Sequence, residues 1–208
     1  MTFQPLRQVV LASASASRKS LLQSVGINPT IIVSGVDEED PAMTSLKPAE
    51  MVVALAILKA HTVRKLVGPE YLVIGCDSTF EFEGQSLGKP ETRENAIARS
   101  KLLRGKMGLL HTGHCIIDNM QEIEVSDIST SKVYFADMTD REIENYADSG
   151  EPLHVAGGFT LDGLSAPFIE RIEGDPSGII GLSLPLLRRA IISLGLQWSE
   201  IAEMVVPA

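Results

Sequence analysis

Residues 9–26 read VVLASASASRKSLLQSVG, and the order of side-chain types within them decides the fold class. Val9, Val10 and Leu11 form an apolar run that ends a buried strand. From Arg18 to Val25 the apolar positions Leu21, Leu22 and Val25 share one helical face, and Gly26 stands where a helix C-cap is expected. Strand passes to helix through Ser13, Ser15 and Ser17 and the basic pair Arg18/Lys19. A helix N-terminus offers free N–H groups and a partial positive charge, so such a junction can hold a phosphate. It is equally the sequence of a serine-capped helix with solvated bases, and local evidence leaves both readings open.

The same alternation continues outward. Thr30–Ser34 reads as a strand, followed by the acidic loop Asp37, Glu38, Glu39, Asp40, Pro41; Pro48–Val67 is the longest helical candidate. Tyr71–Cys76 is an apolar strand expected to deliver Asp77 at its carboxyl end, and Thr79–Leu87 a hairpin around Glu83-Gly84. Helix is expected over Thr92–Leu103, over Thr139–Asp148 (with Thr139 as N-cap and Glu142 three residues on) and over Leu184–Leu194. Strands are expected at His111–Ile117, Ser126–Phe135 and Ala166–Ile172, while the tail after Trp198 has no clear pattern. No repeat or linker divides residues 1–208, so one domain is expected. Its class is α/β, three-layer, with an extended mixed central sheet flanked by helices. Ligands of open α/β sheets favour the carboxyl ends of strands, where the serine-rich junction and Asp77 are both expected.

The 208 residues can bury roughly 70% of their unfolded surface. A net charge of −9 argues against a broad surface for nucleic acid or acidic membrane, and a polyanionic small substrate would need local bases or a divalent cation. Cys76 and Cys115 make no disulfide framework, the start MTFQPLRQ lacks a secretory pattern, and no apolar run is long enough to span a bilayer. A cytoplasmic location is expected.

Several residues stand out chemically. Asp77 leaves a buried run, as a metal-holding or basic carboxylate does, although a turn aspartate has the same local sequence. Glu38 in its acidic loop could share Mg²⁺ with it. Lys59 interrupts the apolar row Val52, Leu55, Ala56, Val63, so its ammonium either snorkels to solvent or is aimed into a cleft. Lys89 lies in GQSLGKP, which fails the Walker A spacing. His111 and His114 are three apart in a strand and should face opposite sides, which disfavours zinc. No G-x-S-x-G elbow makes the serines nucleophiles, and Cys76 reads as a core residue.

Taken in order, LASASASRKSLL, SGVDE, LKA, IGCDS, LGKP, HTGH, EPLHVAGGF and FIERIEGDPSGIIGLSLPLL resemble the Maf family of nucleoside triphosphate pyrophosphatases from Val9 to about Leu187. The resemblance implies hydrolysis between the α- and β-phosphates, assisted by Mg²⁺ or Mn²⁺, on modified or non-standard nucleotides. It implies Asp77 as catalytic base, with Glu38, Lys59 and Lys89 as other active-site positions. Glu38 and Asp77 would hold the metal, and Ser13, Ser15 and Arg18 the phosphates. Base preference follows Ser17, Ser78 and Asp162, which match neither the Arg/Thr/Gln pattern of the dTTP/UTP subgroup nor the Trp/Gln/Glu pattern of the 7-methyl-GTP subgroup. Ala16 replaces the family's usual proline, which would loosen the junction. A homodimer is compatible with the family. The alternative of another class is a nucleotide-binding regulator of cell division that does not turn its ligand over.

Overall fold

A computed structural model describes residues 7–203; most of the MTFQPLRQ stretch and the end of the tail lie outside them. The elements run β1 (Gln8–Leu11), α1 (Ala16–Ser24), β2 (Thr30–Ile31), α2 (Pro41–Thr44), α3 (Pro48–Arg64), β3 (Tyr71–Phe82) and β4 (Gln85–Leu87). They continue with α4 (Arg93–Leu103), β5 (Met107–Asp118), β6 (Ile123–Phe135), α5 (Asp140–Asp148), β7 (Ile169–Glu173), α6 (Pro176–Ile180) and α7 (Leu184–Ser193). One sheet has the order β2-β1-β3-β5-β6-β7, with β4 added on β3; β1 is parallel to β2 and β3, and the other pairings are antiparallel. The expected mixed α/β sheet between helices is what forms.

Each face of the sheet takes its own layer because side chains alternate along the strands. Val9, Leu11, Leu72, Ile74, Cys76 and Ile116 pack against Leu22 of α1 and Leu186, Leu187, Ala190 and Ile191 of α7. Val10, Val73, Cys115 and Ile117 face the other way, against Ala56, Ala60 and Val63 of α3. At the far end of β3, Phe80, Phe135 and Phe159 form three edge-to-face pairs with centroids 5.7, 5.2 and 5.1 Å apart. That arrangement matches the quadrupole preference of aromatic rings.

Helix α3 is seated unusually close to the sheet. A Cβ at Gly75 would lie 2.3 Å from the Ala56 carbonyl oxygen, and one at Gly113 would lie 2.3 Å from that of Val52. The helix backbone thus rests on two bare glycines of β3 and β5, which lowers the next turn of α3, carrying Lys59, towards Asp77.

The main departures from the sequence expectation concern β3 and β2. Asp77 does not end its strand: β3 continues to Phe82, turns at Glu83 and Gly84, and returns as the expected hairpin with β4. The carboxylate nevertheless lies at a strand's carboxyl edge, that of β1, which stops at Leu11 opposite Ile74 and leaves the following positions of β3 uncovered. Strand β2 keeps only Thr30 and Ile31, so residues 32–40 are free to form a loop. Helix α1 begins two residues early, with Ser15 as its N-cap. The short α6, which sequence periodicity did not indicate, starts at the DPSG segment with Asp175 accepting from Ser177 and Gly178 N–H. Among the described residues no helix is long and apolar enough to cross a membrane.

Candidate active site

Where β1 ends, a cleft of about 510 Å³ opens over β3. Its lining includes Ser13, Ser15, Ser17, Arg18, Glu38, Lys59, Asp77, Ser78, Lys89 and Asp162, all of them site residues expected from the sequence; His111, His114 and Cys76 are not among the lining. The fold brings these positions together from six separate segments.

The centre is a three-charge cluster. Lys59 Nζ lies 2.6 Å from Asp77 Oδ1 and 2.5 Å from Glu38 Oε1. The lysine is 5% exposed, so its ammonium is aimed into the cleft and does not snorkel. Two of the neighbouring acids shape the loop that carries Glu38. Asp37 accepts the Glu39 N–H, and Asp40 accepts the Ala42 N–H as cap of α2. Burial pushes the Asp77 carboxyl above the usual aspartate range; Lys59 and Arg18 oppose this only in part, and Glu38 adds to it. Burial also raises the half-exposed Glu38, but there Lys59, Lys89 and Arg18 prevail and hold it below its ordinary value. Two carboxylates side by side are therefore driven apart in proton affinity, the more buried one becoming the better base.

Arg18 has a different task from its neighbour Lys19, which stays exposed. Arg18 Nε donates to the Gly181 carbonyl (2.8 Å), and Nη1 donates to Ser13 Oγ (2.9 Å) and the Cys76 carbonyl (3.0 Å). Nη2 donates to Ser78 Oγ (2.9 Å). Four of the five N–H donors of a guanidinium are thus used inside the protein. Thr112 Oγ1 donates to the Gly178 carbonyl at 2.8 Å and so accepts from Ser78, 2.8 Å away. A directed chain runs Arg18 → Ser78 → Thr112 → Gly178. The Ser78 hydroxyl is consequently committed to the framework on both its donor and its acceptor side. Thr112 and the Gly178 and Gly181 carbonyls were not singled out from sequence; the only sign of them was their place within HTGH and DPSGIIG.

Lys89 projects from the loop after β4, which is fastened to the glycine-rich segment. The Gly88 carbonyl accepts from Gly157 N–H and from Arg99, and Glu91 N–H donates to Leu153. A Cβ at Gly158 would lie 2.9 Å from Pro90. Beyond the charged centre the cleft becomes apolar, with Leu110, Phe159 and Ile179 of one hydrophobic cluster in its wall and Thr160 and Asp162 flanking Leu161, which packs against that cluster.

The histidines do not converge. His111 bonds Glu81 and Thr130, whereas His114 Nε2 accepts the Ser183 N–H on the opposite face. Burial, aided by Arg18, lowers His114 to about 4. Burial likewise raises the Cys76 thiol to about 12, which keeps it inert. Among the described residues no group of three or more His, Cys, Asp or Glu side chains could hold a metal ion. Glu38 and Asp77 form a two-carboxylate set, which suits Mg²⁺ or Mn²⁺ only with phosphate oxygens and water completing the shell.

A mixed α/β sheet with an acid–lysine–acid cluster at a strand's carboxyl edge, and an apolar slot beside it, defines a cleft fit for a phosphorylated ligand with an apolar group. Comparison with known proteins sharpens that class. The Maf-like protein family model matches residues 8–194, and the chain belongs to that family. A nucleoside triphosphate pyrophosphatase from Streptomyces coelicolor is 52% identical, covering 100% of this chain and 99% of the relative. One of the same name from Trichormus variabilis is 46% identical over 90% and 93%. A solved HAM1 protein from Coxiella burnetii is 15% identical with a TM-score of 0.47, covering 90% of this chain and 99% of the other.

Proposed function

We propose that this chain is a nucleoside triphosphate pyrophosphatase, converting its substrate to the nucleoside monophosphate and pyrophosphate. The observation that carries the reading is the Glu38–Lys59–Asp77 cluster within one cleft of a chain whose relatives bear that name. The apolar slot suits the base, and the charged centre suits the phosphates.

Asp77 takes a proton from water as the water oxygen bonds to the α-phosphorus and the bond from that phosphorus to the α,β-bridging oxygen breaks. Its raised proton affinity fits that role. Lys59 fixes both carboxylates in the free protein and carries positive charge beside the reacting phosphate. Lys89, exposed on its loop, is free to meet the outgoing pyrophosphate. Arg18 adds positive potential while its donors brace the junction, whose Ser13 and Ser15 lie on the phosphate side. Glu38 and Asp77 would hold Mg²⁺ or Mn²⁺, which would supply charge neutralisation and orientation when bound. Ser17 and Asp162, both in the cleft lining, bear on base choice in this reading, modified or non-standard bases included.

The test is a panel of standard and modified triphosphates with Mg²⁺ or Mn²⁺, read by separate assays for pyrophosphate and orthophosphate. Pyrophosphate release that disappears in Asp77→Asn is the expected result. Orthophosphate alone, or tight binding without turnover across the panel, refutes it, and the second outcome would favour the cell-division regulator.

A further inference from the structure

Behind the apolar end of the cleft lies a carboxylate that takes no part in its wall. Glu151, at the start of the EPLHVAGGF segment, accepts from three donors within one short region. Thr160 Oγ1 donates to Oε1 at 2.6 Å and the Tyr146 hydroxyl at 3.1 Å. The Leu164 N–H is shared between Oε1 and Oε2, at 3.0 and 2.9 Å. The same loop is closed from inside by Ser165, 2% exposed, whose Oγ accepts from Thr160 N–H at 2.7 Å and donates to the Thr160 carbonyl at 2.6 Å. Gly163 permits this closure, because a Cβ there would lie 2.5 Å from Thr160 Oγ1 and 2.6 Å from Glu151 Oε2. Residues 160–162 on the other side of this loop line the cleft.

We propose that Glu151 is a positioning residue for base selection: its carboxylate clamps the 160–164 loop so that Thr160, Leu161 and Asp162 present a fixed edge to the nucleobase. The inference rests on the pyrophosphatase reading and deepens it. Charge-assisted bonds from a hydroxyl and a backbone N–H are the stronger kind. Together they oppose the backbone freedom that a five-residue loop would otherwise keep. The anchor end is firm as well, since Tyr146 is buried beneath it. Burial tends to raise the Glu151 carboxyl, but its donors overcome this and keep it low, so the clamp is charged throughout the neutral range.

The variants Glu151→Ala and Glu151→Gln separate this role from general stability. In Glu151→Gln the amide oxygen still accepts from Leu164 N–H, and the amide nitrogen faces two hydroxyls that can accept. On the wild type's best and second-best triphosphates, Glu151→Ala should raise KM by roughly tenfold on the better one. The ratio of kcat/KM between the two substrates should collapse towards unity while kcat moves by less than about threefold. Glu151→Gln should recover most of the ratio. Amide hydrogen exchange at Leu164, read without substrate, should quicken in Glu151→Ala alone. An unchanged ratio and unchanged Leu164 exchange in a folded Glu151→Ala protein would overturn the clamp, as would a loss of kcat with KM intact. If the wild type hydrolyses no triphosphate, the pyrophosphatase reading falls by itself. The clamp is then judged on Kd values for a nonhydrolysable triphosphate panel, where equal selectivity in wild type and Glu151→Ala overturns it.

Discussion

Lys59 Nζ sits 2.6 Å from Asp77 Oδ1 in a setting where the lysine is almost wholly buried, so the base of the proposed reaction is held by a cation that cannot retreat into solvent. Removing either partner should therefore have unequal consequences. Asp77→Asn preserves volume and abolishes proton acceptance, and should lower kcat by about 10²–10⁴-fold. Lys59→Met leaves a buried carboxylate without its main counter-charge and should cost stability as well as rate, roughly 3–5 kcal/mol. Pyrophosphate release and urea unfolding, measured side by side, distinguish the two patterns. Equal stability loss in both variants would contradict this assignment of roles.

The acid limb of the pH–rate profile should report Asp77. Because burial raises that carboxyl, kcat/KM should fall with decreasing pH at values above the ordinary aspartate range. Glu38 contributes to the rise, so Glu38→Gln should move the limb to lower pH; Lys59 opposes it, so Lys59→Gln should move the limb higher. Residual activities of both variants, measured across acid to neutral pH, check the two signs. Shifts in the same direction would refute the coupling.

Gly75 offers a test placed outside the cleft. Gly75→Ala would force a methyl group to within 2.3 Å of the Ala56 carbonyl oxygen, so α3 must lift. Overpacking of this kind costs about 1–3 kcal/mol. Because Lys59 lies less than a turn beyond Ala56, activity should fall further than the stability loss alone explains. Thermal unfolding and kcat at a temperature where the variant is fully folded separate the two effects. Wild-type kcat in the folded variant would refute the link.

His114 gives the fold a dependence on mild acid. Its Nε2 must stay unprotonated to accept the Ser183 N–H, and its folded value is lowered to about 4 from an ordinary 6.5. A depressed folded value means stability is full above pH 6.5 and drains away as pH falls towards 4, amounting to about 3 kcal/mol for this group. Denaturant midpoints between pH 7.5 and 4.5 should show that decline, and His114→Gln should flatten it while lowering the plateau. An undiminished slope in the variant would assign the decline to other groups.

The sequence disclosed which residues share the cleft better than it disclosed the edges of the elements. Lys59 was conspicuous because a charge in an apolar row must either escape or be paired, and the fold pairs it. Asp77 lies at a strand's carboxyl edge as expected, but at the edge of β1 and within β3, not at the end of its own strand. The apolar run stops there, yet the strand does not, because the outer half of β3 alternates Phe80 and Phe82 against Thr79 and Glu81. Ser78 illustrates what pattern cannot supply. Its hydroxyl is engaged by Arg18 and Thr112, partners 60 and 34 residues away in the chain, and only the folded register reveals the link. Glu151 was hidden for the same reason, since a glutamate before proline at a helix end is locally unremarkable.

Arg18 also imposes an order on how the molecule is made. The first two of its acceptors in the chain, Ser13 and the Cys76 carbonyl, are synthesised early, but its Nε bond spans 163 residues to Gly181. A nascent chain that has not yet released Gly181 must keep a guanidinium at the sheet edge with part of its fork unmet, which disfavours burial. The serine-rich junction therefore lacks one of its acceptors until Gly181 has joined the fold. A truncated product that ends before α6 would carry every charged residue of the Glu38–Lys59–Asp77 cluster and still lack the acceptor that closes the junction beside it.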